Sequence, residues 1–97
     1  MSKKLTAFDY EVFGIVQGVF FRKFAQKEAT KLQLVGWVKN TRKDTVVGQC
    51  QGEQSQMELM KGWLSKVGSP SSRIDKCEIS NEKEINQLEF AKFEIRH

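Results

Sequence analysis

The stretch Phe8-Asp9-Tyr10-Glu11-Val12-Phe13-Gly14-Ile15-Val16-Gln17-Gly18-Val19-Phe20-Phe21-Arg22 changes its hydrophobic period part-way along, and that change decides the fold. Over residues 6–14 apolar and polar side chains alternate, with Phe8, Tyr10 and Val12 on one side and Asp9 and Glu11 on the other. A period of two belongs to a strand with one buried face. Over residues 20–32 the spacing becomes helical: Phe21, Ala25, Ala29 and Leu32 share one face, while Lys23, Lys27 and Lys31 turn to solvent. Between the two lie Gly14 and Gly18, where the backbone can take positive φ and approach a ligand closely.

Working outward, residues 36–41 and 45–52 read as two more strands joined by the short turn Thr41-Arg42-Lys43-Asp44-Thr45. A second helix is expected over residues 55–67, with Met57, Met60, Leu64 and Val67 as its buried stripe and Leu59 and Trp63 alongside. Gly68 can take a left-handed cap and Pro70 cannot continue a helix, so both stop it. Residues 73–80 read as a strand, residues 80–88 as a polar surface loop, and residues 90–96 as a last strand with Ala91, Phe93 and Ile95 on one face. Strand, helix, strand, strand, helix, strand, with a short extra C-terminal strand, describes a ferredoxin-like α+β sandwich: βαββαβ, with two helices on one face of an antiparallel sheet. No repeat or linker interrupts the order, so a single domain over residues 1–97 is expected.

A chain of 97 residues can bury one modest core, and 39% hydrophobic with 29% charged residues excludes a disordered tail. The net charge of +4 suits anionic partners, although solubility alone accounts for it equally well. No run approaches the ~20 apolar residues of a membrane span. Behind Met1-Ser2-Lys3-Lys4-Leu5 there is no apolar run, since Asp9 and Glu11 interrupt it, so no targeting signal is read and a cytoplasmic location is expected. Cys50 and Cys77 lack CxxC spacing and are accompanied by one histidine, His97; buried free thiols are expected, with no disulfide, no metal and no cofactor.

Two segments carry chemistry. The first is the strand-to-helix loop, whose N–H groups and helix start converge on one point where a phosphate can settle. There Arg22, in the first helical turn, offers a bidentate charged fork. Glycines at such turns are also common in purely structural loops, and a first-turn arginine is often only solvated. The loop lacks the lysine and hydroxyl of a GxxxxGK[ST] nucleotide loop. The second segment is Gly36-Trp37-Val38-Lys39-Asn40-Thr41. Asn40 stands at a strand end, where asparagine usually forms a turn with its own backbone. Its amide can equally donate and accept, which suits gripping a water molecule, and Thr41 is placed to orient it.

Together, Gly14-Ile15-Val16-Gln17-Gly18-Val19-Phe20-Phe21-Arg22 and Gly36-Trp37-Val38-Lys39-Asn40 resemble the two signatures of the acylphosphatase family, in particular its small common and muscle-type members. Gly68-Ser69-Pro70 followed by Ser72-Arg73-Ile74-Asp75 is similar to a further family landmark, so the resemblance spans nearly the whole chain. It implies hydrolysis of acyl phosphates, the mixed carboxylic–phosphoric anhydrides, to carboxylate and inorganic phosphate. It also implies Arg22 and the backbone of Ile15, Val16, Gln17, Gly18, Val19 and Phe20 as the phosphoryl cradle, and Asn40 as the residue that orients the attacking water. Gly14 and Thr41 would support them. The family uses no metal and forms no covalent intermediate, which agrees with a matched site that offers no histidine and no cysteine beside a base.

Expected partners are a small acyl phosphate and inorganic phosphate, as product and inhibitor, with no membrane and no nucleic acid; a monomer is expected. Two departures stand out: Asp44 replaces the glycine usual in the hairpin turn, and His97 ends the chain where an aromatic residue is common. The competing reading is a basic ferredoxin-like module that binds nucleic acid. Against it, Thr45-Val46-Val47-Gly48-Gln49-Cys50-Gln51-Gly52 carries none of the aromatics of an RNP1-type strand. A non-catalytic sensing domain is the third possibility, and an anion sensor has no need of a water-placing amide.

Overall fold

Alternation holds through the whole of the first strand, β1 (Leu5–Ile15), in the computed structural model, which describes residues 4–97. Residues 1–3, part of the stretch read for a targeting signal, lie outside the described residues. The remaining elements are α1 (Phe21–Lys31), β2 (Val35–Asn40), β3 (Val46–Glu53), α2 (Gln54–Gly62), β4 (Arg73–Glu84) and β5 (Phe93–Arg96), with a π-helical turn, Trp63–Val67, continuing α2. The sheet order is β4-β1-β3-β2-β5. Its first four strands pair antiparallel, while β5 runs parallel to β2, so the sheet is mixed and the short extra strand joins it from the β2 side. The fold is the expected ferredoxin-like α+β sandwich.

The core lies between the sheet and the two helices. Phe8, Tyr10 and Val12 of β1 face Phe21, Ala25 and Ala29 of α1 and Met57, Met60 and Leu64 of the second helical segment. Each fully buried side chain of Phe or Met size contributes about 1.5–3 kcal/mol of apolar transfer. Across this face Tyr10 lies over Gly48 and donates its hydroxyl to the Trp37 carbonyl at 3.1 Å, so a side chain at residue 48 would collide with the ring. Among the described residues, no helix is long and apolar enough to cross a membrane.

Several local expectations are corrected. Val67 is 62% exposed rather than part of the stripe. The last turn closes i→i+5, with the Gly68 N–H donating to the Trp63 carbonyl, and this wider winding carries Val67 out of line with Leu64. Gly68 has φ 64° but ψ −163°, a glycine-only region distinct from the left-handed cap. Residues 80–84, expected in a loop, continue β4 along β1. The register steps from Ala7↔Lys83 to Asp9↔Ser80, so Asn81 and Glu82 oppose Phe8 alone in a bulge; Asn81 has φ 52° and donates to Asp9 Oδ2 at 2.7 Å. Ala91 is exposed and precedes β5, of which Phe93 is buried and Ile95 partly buried. Cys50 is buried as expected but Cys77 is only half-buried; burial pushes both thiols up, and both are free.

Asp44 adopts φ 65°, so the residue that replaces the usual turn glycine sits in the left-handed region. Thr41 and Thr45 provide the side-chain bonds of this turn. Asp44→Gly is therefore expected to raise stability by on the order of 1 kcal/mol, by relieving the Cβ contact that φ imposes. Urea denaturation measures it; an unchanged or lower midpoint would show that Asp44 makes a compensating interaction.

Candidate active site

The turn from β1 into α1 is built from three unusual backbone conformations. Gly14 has φ 136° and closes against β4, where a Cβ would collide with the Arg73 carbonyl oxygen; its freedom serves the sheet and not a ligand. Gly18 has φ 73° with open space around it, and Phe20 has φ 59°, a bulky residue in the left-handed region at the helix N-cap. Among the described residues, the backbone N–H groups of residues 17–20 donate to no backbone or side-chain acceptor. They sit beside the positive end of the α1 dipole, so the loop presents a concentration of unused donors. The Gln17 amide fastens it to the β2–β3 hairpin by donating to the Thr41 and Thr45 carbonyls at 2.8 and 2.9 Å.

The loop, the end of β2 and the end of β5 enclose a cavity of about 380 Å³. Arg22, Lys23, Asn40 and His97 supply its polar groups, Val16, Phe20, Phe21 and Ile95 its apolar wall, and Gly18 its edge. Arg22 Nη1 donates to the Arg96 carbonyl at 3.2 Å and faces His97 Nδ1 at 3.2 Å. A guanidinium can only donate, so Nδ1 is the acceptor there and the proton of a neutral ring resides on Nε2. Asn40 Oδ1 is buried with no hydrogen-bond partner. Burying an amide oxygen unpaired costs ~1–3 kcal/mol, a cost structures rarely carry without a use for the group. No Asp or Glu side chain lines the cavity, and among the described residues no group of three or more His, Cys, Asp or Glu is placed to hold a metal ion.

Residues 8–95, which include both the loop and the end of β2, match the model of one protein family, described as Acylphosphatase. The chain belongs to the acylphosphatase family. Mouse (Mus musculus) Acylphosphatase-2 is 59% identical over 97 residues, covering 100% of this chain and 92% of the relative. An acylphosphatase structure from Coxiella burnetii superposes with a TM-score of 0.84 at 34% identity, covering 99% of each chain. One from Bacillus subtilis gives 0.86 at 33% identity, covering 95% of this chain and 99% of the other.

Of the residues that resemblance to the acylphosphatases singled out, Val16, Gly18, Phe20, Arg22 and Asn40 meet in one cavity. Ile15 is half-exposed on β1, Val19 packs against the core, and the Gln17 side chain binds the hairpin. Thr41 does not orient Asn40: its hydroxyl bonds Thr45 Oγ1 at 2.7 Å and accepts from the Lys43 and Thr45 N–H groups, so it shapes the turn. Thr45 passes that bond on to Glu11 Oε2 at 2.7 Å. The expectation of a site without histidine is also corrected, because His97 lines the cavity. Phe21, Lys23 and Ile95 were missed as well; Phe21 and Ile95 read as core positions and Lys23 as solvated, and no local signal in the sequence links residue 22 to residues 95–97.

Proposed function

We propose that the chain hydrolyses acyl phosphates without a metal, with Arg22 and the loop N–H groups holding the phosphoryl group and Asn40 placing the attacking water. Acyl phosphate hydrolysis is the reaction of the family to which the chain belongs. The buried, unpartnered Oδ1 of Asn40 in the cavity that Arg22 lines carries the assignment of roles. In this reading the substrate's phosphoryl oxygens accept from the Arg22 fork and from the N–H groups of residues 17–20, which offset the charge of an in-line displacement. Asn40 Oδ1 accepts a hydrogen bond from water and fixes its oxygen opposite the leaving carboxylate.

Water oxygen then bonds to phosphorus, the bridging P–O bond breaks, and its electron pair leaves with the carboxylate. The water proton passes to a phosphoryl oxygen, giving dihydrogen phosphate. No Asp or Glu side chain lines the cavity to compete for that proton, and Nδ1 of His97 is already paired with Arg22. An acyl phosphate is already an activated anhydride, so positioning and charge complementarity suffice. The 97 residues act as one domain and as a cytoplasmic monomer whose partners are the acyl phosphate and inorganic phosphate. Nucleic acid is not among them: the groove on the sheet face away from the helices is lined by Asp9, Glu11 and Glu78, which repel phosphates.

Hydrolysis of benzoyl phosphate with and without a metal chelator tests the metal-free reading. The expected rates are equal; loss of turnover on chelation, restored by a divalent ion, would overturn it.

A further inference from the structure

Phe20 is 72% exposed, more than any other large hydrophobic side chain among the described residues. It also holds φ 59°, where asparagine or glycine would sit with less strain. Its neighbours Val19 and Phe21 contribute to the core, but Phe20 does not. A ring kept in water on a disfavoured backbone gains nothing for folding, and backbone outliers of this kind cluster where ligands bind. Phe20 lines the cavity that holds Arg22 and Asn40, and shares its apolar wall with Val16, Phe21 and Ile95.

We propose that Phe20 is a specificity residue, a platform on which the acyl group of the substrate rests, and that the site prefers acyl phosphates with aromatic or bulky apolar acyl groups over acetyl phosphate. The proposal rests on the reading that the loop and Arg22 hold the phosphoryl group. With phosphorus anchored there, the acyl carbon is one bridging oxygen away and the rest of the acyl group must lie along the cavity wall. Gly18 leaves that rim open, and Phe20 offers an exposed phenyl face to an incoming group, whereas Phe21 is buried. Apolar and aromatic contacts of this kind discriminate between substrates by the acyl surface they cover, whereas the phosphoryl contacts are common to all of them.

The test is the ratio of kcat/KM for benzoyl phosphate to that for acetyl phosphate, in wild type, Phe20→Asn and Phe20→Leu. Asparagine tolerates the left-handed conformation, so that variant separates loss of the ring from loss of the fold. Any disturbance of the loop backbone acts on a phosphoryl group both substrates share and cancels in the ratio. Phe20→Asn is expected to lower the ratio about tenfold, chiefly through the KM for benzoyl phosphate, and Phe20→Leu to fall between it and wild type. Inhibition by inorganic phosphate is measured alongside, with Arg22→Ala as reference. If Arg22→Ala leaves the phosphate inhibition constant unchanged, the phosphoryl reading fails and this proposal with it. If that constant rises but the Phe20→Asn ratio stays within twofold of wild type, the platform alone is overturned.

Discussion

Asn40→Ala is expected to lower kcat by about 10²–10³-fold while leaving the affinity for inorganic phosphate nearly unchanged. The amide is proposed to hold water in line with phosphorus, a contact that matters more in the transition state than in the ground state. Phosphate would still meet Arg22 and the loop donors, so its inhibition constant reports an intact cradle. Stability should change by no more than about 1 kcal/mol, because Oδ1 bonds no protein group whose loss would weaken the fold. An asparagine that merely shaped the hairpin would show the reverse, a lower denaturation midpoint with normal turnover per folded molecule. That role already falls to Thr41 and Thr45, whose hydroxyls bond each other across the turn. Turnover, phosphate inhibition and urea midpoint measured on the one variant separate the two, and near-normal turnover would remove Asn40 from the mechanism.

Arg22→Ala should be the more damaging change. An arginine that neutralises a transferring phosphoryl group is worth about 10³-fold or more in rate, and here it is also the charge proposed to bind the product. Inorganic phosphate at a hundred times its Kd should stabilise the wild-type protein by about 2.7 kcal/mol, a rise in Tm of roughly 10 °C or more for a domain of this size. In the alanine variant that rise should vanish together with competitive inhibition. Some stability is expected to go as well, about 1 kcal/mol, since the guanidinium bonds the Arg96 carbonyl. Arg22→Lys keeps the charge without the planar fork and should recover only part of either effect. A thermal shift with phosphate equal to wild type would show that Arg22 is not the ligand.

The parts of this molecule that were legible in its sequence are those where one local signal decides. The switch of period between Val12 and Phe21 gives β1, α1 and the loop joining them, and the structure follows it closely. The end of β4 was hidden because residues 80–84 lie at an edge, polar and exposed, with a bulge at Asn81 resetting the alternation. Val67 misled because a helical wheel assumes one winding throughout, and the last turn of that helix changes it. In the site, Arg22 and Asn40 were legible by motif. Thr41 was assigned to its sequence neighbour when its hydroxyl in fact serves the turn, and His97 reaches Arg22 across 75 positions through the pairing of β5 with β2. No pattern within a window of sequence encodes a contact of that span.

The bond from Arg22 to the carbonyl of residue 96 has a consequence for the order in which the protein becomes active. During synthesis the loop, α1 and the hairpin leave the ribosome well before the strand that steadies the guanidinium, because chains emerge N-terminus first. Closing a contact 74 residues long also carries a loop entropy that nearby pairings avoid. With Arg22 as the proposed phosphoryl ligand, recovery of turnover during refolding is expected no earlier than the docking of β5, whose Phe93 joins the core.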